Sequence, residues 1–114
     1  MLPLEVRKYL FDIQQACDLL AQFTAAKTFD DYKADAMLRS AIERQFEIVG
    51  EALRQALRRA PELATHITDH QRIIAFRNRL IHGYAGVADE VVWGVLETGL
   101  PKLRAEVDAL LDKA

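Results

Sequence analysis

Val6, Leu10, Ile13, Cys17 and Leu20 follow one another at alternating steps of four and three. That spacing brings an apolar side chain back to one face of an α-helix at every turn, and to no single face of a strand. The same rhythm runs through most of the chain. Glycine and proline, which would interrupt it, number only 5 and 3 among 114 residues. A chain patterned in this way buries its stripes by laying helix against helix.

Four helical stretches are expected. The first runs from about Leu4 to Ala26, with Pro3 suited to a first turn, where its missing N–H costs nothing. "KTFDDY" breaks the pattern, and Asp30 or Asp31 can cap the next helix. The second helix spans about Asp31 to Arg59, and its stripe is Leu38, Ile42, Phe46, Val49, Leu53 and Leu57. Gly50 lies inside it, at a cost of up to ~1 kcal/mol relative to alanine. Close approach of a neighbouring helix is the compensation to look for. Pro61 marks the end, and "PELATHITDH" reads as a connection with little apolar periodicity.

A third helix begins near Thr68 or Asp69, either of which can cap it, and ends at "HGY" with Gly83 just beyond. In the tail, "DEVVWGVLETG" carries Val91, Val92, Val95 and Leu96 with Trp93, and "LPKLRAEVDALLDK" then buries Leu103, Val107, Leu110 and Leu111. This last helix is expected to kink or split near Gly99–Pro101. No strand-like alternation, internal repeat or low-complexity tract is present. The expected fold is all-α, a four- to five-helix up-and-down bundle forming a single domain over residues 1–114.

The net charge of −2 excludes a strongly basic domain that binds phosphates wherever it meets them. Any affinity for RNA must come from a local patch or from a second subunit. Cys17 is the single cysteine, so no intrachain disulfide can form, and a cytoplasmic location is the natural expectation. No apolar run approaches the ~20 residues that cross a bilayer, and "MLPLEVRKYL" has no signal-peptide core.

One stretch asks for more than packing. In "RNRLIHGY", Arg77, Asn78, Arg79 and His82 interrupt the apolar residues of the third helix, and Gly83 and Tyr84 close it. Asn78 and His82 are four apart and share a side of the helix, and Arg79 and His82 are neighbours at three. Arg77 and His82 point about 140° apart on an ideal helix. For both to reach one phosphate, His82 must stand where the helix ends, or two chains must share the site about a two-fold axis.

These residue types suit metal-free RNA cleavage. Such a reaction needs proton transfer at the 2′-hydroxyl and at the leaving 5′-oxygen, and positive charge on the phosphate between them. Histidine performs either transfer. Arginine offers a planar fork of donors matched to phosphate oxygens. Asparagine can hold the imidazole in one tautomer or donate to the phosphate. One histidine per chain cannot be both acid and base, but a homodimer brings two.

"RNRLIHGY", preceded by "RIIAF" and followed by "GVADEVVWGVL", resembles the signature of the HEPN superfamily, and more narrowly that of HepT-like ribonuclease toxins. Arg77, Asn78, His82 and Tyr84 fill each position of the Arg–polar–x3–His–x–Tyr pattern. "AIERQFEIVGEALR" resembles that family's long second helix, so the likeness covers roughly residues 4–112. The resemblance implies a bundle of four to five helices that dimerises with the motif at the interface. It also implies a metal-independent endoribonuclease toxin of a type II/VII-like toxin–antitoxin system, silenced by a minimal-nucleotidyltransferase antitoxin. Arg77, Asn78 and His82 would then be catalytic, with no cofactor or metal, and Arg79 would contact RNA. Tyr84 would be the tyrosine that the antitoxin modifies with AMP, placing bulk and negative charge two residues from His82.

Plainer readings stand beside these. His82 can simply complement the helix dipole, and Arg77 can pair with Glu43, Glu47 or Glu51 of the second helix. Arg79 can be a solvated charge, and Tyr84 a cap over the bundle end. Arg54, Arg58 and Arg59 form a basic cluster that either guides RNA or only complements its helix end. His66 and His70 lack metal-ligand spacing, and Trp93 and Cys17 read as core or interface. As a whole, the alternative is a catalytically inactive helical interaction module that binds a nucleotidyltransferase partner.

Overall fold

The computed structural model describes residues 2–83 and 86–113; Tyr84 lies outside them. Every regular element among these residues is helical. The helices are α1 (Leu4–Thr24), α2 (Phe29–Ala34), α3 (Ala36–Arg59), α4 (His70–His82), α5 (Asp89–Gly94) and α6 (Leu100–Asp112). A 3-10 turn, Pro61–Thr65, joins α3 to α4, and a π-helical segment, Val95–Gly99, joins α5 to α6. α3 lies at the centre, with α1 on one side and α4 on another, and α6 packs against α1. The expected all-α bundle is what the chain forms.

The α1 stripe is buried as its spacing requires: Val6, Leu10, Ile13, Cys17 and Leu20 all face the core. Pro3 stands one residue before the helix, and its carbonyl accepts the Arg7 N–H at 3.0 Å. The expected second helix is two helices. Thr28, rather than Asp30 or Asp31, caps α2, in a reciprocal box with Asp31 (3.1 and 2.9 Å). Asp35 then breaks the helical path with an extended backbone, and its carboxylate caps α3 at the N–H groups of Met37 and Leu38. In α3, Leu38, Ile42, Phe46, Val49 and Leu53 are buried, whereas Leu57 is half-buried and Ala56 takes its place in the core.

"PELATHITDH" is more than a connection, because Leu63 and Ile67 are fully buried. Asp69 stands at the N-cap position of α4, but neither its side chain nor that of Thr68 caps the helix. Thr68 gives its N–H and hydroxyl to Glu106 of α6 (3.1 and 2.6 Å), and the Asp69 carboxylate lies 3.5 Å from Lys102. Both residues tie the start of α4 to α6. Phe76 is the buried residue of α4, edge-on to Phe46 with centroids 5.3 Å apart.

The expected kink near Gly99–Pro101 is the π segment. Gly94, Val95, Gly99 and Leu100 keep right-handed helical backbone, so the path from α5 to α6 continues while the turn widens. The Leu100 N–H reaches back five residues to the Val95 carbonyl, just before Pro101. A widened turn accommodates a proline, whose ring clashes with the carbonyl four residues back. Val92, Leu96, Leu103 and Val107 are buried along this stretch, and Val91 is exposed. Trp93 packs on Phe29 and Tyr32 of α2 (6.1 and 5.6 Å between centroids), and Cys17 lies in the core.

Gly50 carries the compensation expected for it. A Cβ built there would stand 2.2 Å from Arg77 Cβ and 2.6 Å from Cγ, so α4 rests on α3 where no side chain intervenes. Gly94, by contrast, has nothing within 4 Å of its would-be Cβ. Gly50→Ala should therefore destabilise the fold by about 1–3 kcal/mol through overpacking, despite the better helix former. Gly94→Ala should stabilise it by about 0.4–1 kcal/mol. Urea unfolding of the two variants checks this opposition; a gain of stability at Gly50 would contradict it.

Candidate active site at the end of helix α4

Arg77 starts on the Gly50 notch. Its stem rests against α3, and the side chain as a whole is about one-fifth exposed (20%). Nη2 is 3.1 Å from Glu51 Oε1, and Nη1 donates to Asn78 Oδ1 at 2.8 Å. Nε is buried without an acceptor among the described residues.

Glu51 is the one of three candidate glutamates that meets Arg77. Glu47 pairs with Arg44 at 3.4 Å, and burial, then repulsion from Glu47, raises the pKa of Glu43. Glu51 accepts two bonds from Arg54, both 3.0 Å, and one from Gln55 at 2.9 Å. Hydrogen bonds from Arg54 and Gln55, with the charges of Arg54 and Arg77 beside them, hold its carboxyl down to about 2. The sequence left Glu43, Glu47 and Glu51 equal as partners. Arg54 and Gln55, three and four residues after Glu51, were the signal that it is the anchored one.

Asn78, Arg79 and His82 line a separate open hollow of about 440 Å³, with Gly83, Gly86 and Val87 completing its wall. All three side chains are exposed. The His82 ring and the Arg79 guanidinium make no hydrogen bond or ion pair with another described residue. His82 is the last residue of α4. The Gly83 N–H donates to the Arg79 carbonyl at 2.9 Å, and a Cβ on Gly83 would meet that oxygen at 2.8 Å. Its φ of −98° is open to any residue, so glycine is needed there for room rather than for a left-handed turn. Gly86, at φ +91°, supplies that turn.

Arg77 does not line the His82 hollow. It opens instead on a hollow of about 250 Å³ toward α1 and α3, lined with Tyr9, Arg44, Glu47 and Ile81 among others. Five residues of helix separate the two directions, as the sequence requires. Asn78 joins them, since its carbonyl holds Arg77 and the residue borders His82's hollow.

A family profile described as "Ribonuclease HepT-like" matches residues 13–110. The chain belongs to the HepT-like ribonuclease family. Relatives span nearly all of it. A protein of Thermococcus cleftensis named "Probable ribonuclease HepT" is 31% identical over 91% of this chain and 94% of its own. One of Caldanaerobacter subterraneus subsp. tengcongensis, named "Putative RNase TTE0752", is 31% identical over 94% and 95%. A longer protein of Methanocaldococcus jannaschii, "Gamma-glutamylcyclotransferase and putative RNase MJ0434", is 30% identical over 96% of this chain and 49% of its own. No solved structure matches the chain. The HEPN resemblance read from "RNRLIHGY" is thereby shown, and ribonuclease activity is shown at the level of the family.

Of the basic cluster that the sequence offered, Arg54 and Arg59 are tied to carboxylates of α3 and α1. Arg59 pairs with Glu5 at 2.7 Å and stacks over Tyr9, and Arg54 shares Glu51 with Arg77. Among the described residues, no group of three His, Cys, Asp or Glu side chains could hold a metal ion. No helix among them is long and apolar enough to cross a membrane.

Glu51 also gives the site a pH signature. Its pKa in the folded chain lies below that of an unfolded glutamate, so the folded state binds fewer protons between about pH 2 and the ordinary value of about 4.3. The stability it contributes is complete above that window and is lost as pH falls through it. Glu51→Gln should therefore lower the urea midpoint at neutral pH and match the parent near pH ~2. A gap that stayed constant across the titration would refute this.

Proposed function

We propose that this HepT-like chain is a metal-independent endoribonuclease toxin that works as a homodimer. Asn78 carries the reading: it binds Arg77 through one atom and borders the His82 hollow, linking the phosphate-binding type of side chain to the proton-transferring one. Arg77 stabilises charge on the scissile phosphate, Asn78 orients Arg77 or the phosphate, and Arg79 contacts RNA from the hollow's rim. The two His82 imidazoles of a dimer divide the proton work. One takes the proton of the 2′-hydroxyl, and the 2′-oxygen forms a bond to phosphorus. The bond to the 5′-oxygen breaks, and that oxygen takes a proton from the second imidazole. The products are a 2′,3′-cyclic phosphate and a 5′-hydroxyl. A two-fold arrangement offers a way for Arg77 of one subunit to approach His82 of the other, since within one chain they open on different hollows.

The partner in this reading is a minimal-nucleotidyltransferase antitoxin encoded alongside, in a type II/VII-like pair, and the setting is the cytoplasm. Tyr84 is the modified residue, with the phosphate of the added AMP repelling RNA from His82. The ion pair between Arg77 and Glu51 favours a second reading, in which Arg77 is structural and the chain is an inactive module that binds the nucleotidyltransferase.

His82→Ala separates the two. As an enzyme the chain should lose about 10²–10⁴-fold in RNA cleavage, and its growth inhibition, with its helical circular dichroism intact; cleavage by the parent should continue in EDTA. Absence of cleavage and of growth inhibition in both parent and variant would leave only the module, and equal cleavage by the two would remove His82 from the mechanism. For Tyr84, co-expression with the antitoxin should add the mass of one or more AMP groups to the parent and none to Tyr84→Phe. An unmodified mass in both would remove the AMP step.

A further inference from the structure

We propose that Glu51 is the positioning residue for Arg77: clamped on α3, it fixes the guanidinium in the direction from which it meets RNA phosphate. The proposal rests on the ribonuclease reading and goes beyond it, because Glu51 lies outside the motif.

Three features of the geometry point to this role. The first is that both ends of Arg77 are located by α3. The missing side chain of Gly50 receives its stem, and the next residue, Glu51, meets its head at 3.1 Å. Adjacent residues on one helix thus set the position and the direction of one side chain on another.

The second is that Glu51 is bonded at both oxygens. Oε1 accepts from Arg54 Nε, and Oε2 accepts from Arg54 Nη2 and Gln55 Nε2, all from the following turn of α3. A carboxylate held at both oxygens is a fixed reference for a third group. A lone surface glutamate would instead follow its arginine.

The third is charge. A glutamate bound to Arg77 alone would neutralise the guanidinium that the phosphate needs. Here one carboxylate is shared between two guanidinium groups, Arg54 and Arg77, so it cannot cancel both. Arg77 is oriented without being silenced, and Asn78 Oδ1 on its other nitrogen completes the alignment. Arginine forks bind phosphate through direction as much as charge, and a displacement of about 1 Å can cost ~10²-fold in rate.

A thermodynamic cycle on single-turnover cleavage of a labelled RNA tests this, using the parent, Glu51→Ala, Arg77→Ala and the double variant, with melting curves for each. Glu51→Ala should slow cleavage at least about tenfold when Arg77 is present and less than about twofold when it is absent. Glu51→Gln, which keeps an acceptor, should recover part of the loss. Equal losses in both backgrounds would overturn the proposal, since a residue serving only the fold acts whether or not Arg77 is there. Should Glu51→Ala fail to fold, Glu51→Gln carries the cycle.

A side-chain NMR measurement stands apart from activity. The Arg77 Nη2–H protons, which face Glu51, should be slow to exchange in the parent and faster in Glu51→Ala. An unchanged exchange rate defeats the positioning role even if the enzyme cleaves. Absence of cleavage by the parent defeats the ribonuclease reading, and the NMR result still decides whether Glu51 holds Arg77.

Discussion

The contact between α3 and α4 at Gly50 and Arg77 governs the placement of every other group in the site. A single methyl group at Gly50 would occupy the space of the Arg77 stem, at 2.2 Å. Because none is there, the helices meet at backbone distance and Arg77 enters the seam instead of lying in solvent. From that seat the helical repeat fixes the rest: Asn78 turns outward beside it, and His82 arrives one turn later at the helix end. Close helix approach, a packing matter, thus determines where charged groups stand.

The remainder of the bundle holds α4 against slipping along α3. Thr68 and Asp69 are bound to Glu106 and Lys102 of α6, and Phe76 packs on Phe46 near the middle. α6 is itself fixed to α1 through Arg104, which lies 2.6 Å from Asp18 and bonds Asp108. Exposed pairs of this kind add little stability singly. Their value here is register: the Thr68–Glu106, Asp69–Lys102 and Arg104–Asp18 contacts tie α6 to the start of α4 and to α1. Arg44, Arg54, Arg59, Arg77 and Arg104 pair with carboxylates, whereas Arg79 faces the hollow.

Periodicity was legible wherever a helix buries one continuous face. α1 shows it residue for residue, and α3 does so up to Leu53. It was silent where geometry changes period. Leu63 and Ile67 are as buried as any residue, yet they sit in and beside a 3-10 turn, whose spacing leaves no helical stripe to see. Asp35 was passed over because aspartate is tolerated on an exposed helix face and is equally a cap; the choice depends on whether the chain must bend there to seat α2 and Tyr32. In α4 the apolar residues suggested a broad stripe, but only Phe76 is buried, and the face given to Arg77 is the one against α3.

The sequence by itself determined that the chain is helical, where most helices run, and which cluster departs from packing needs, because residue spacing and composition act locally. It also carried the family, since the motif is contiguous. Only the tertiary structure decided that Arg77 belongs to the α3 seam, that Glu51 of three equivalent glutamates holds it, and that His82 opens on a different hollow. The reason is physical: which glutamate a side chain meets depends on the rotation and offset of one helix against another. Those are set by the whole core, and by the one place where a side chain is missing.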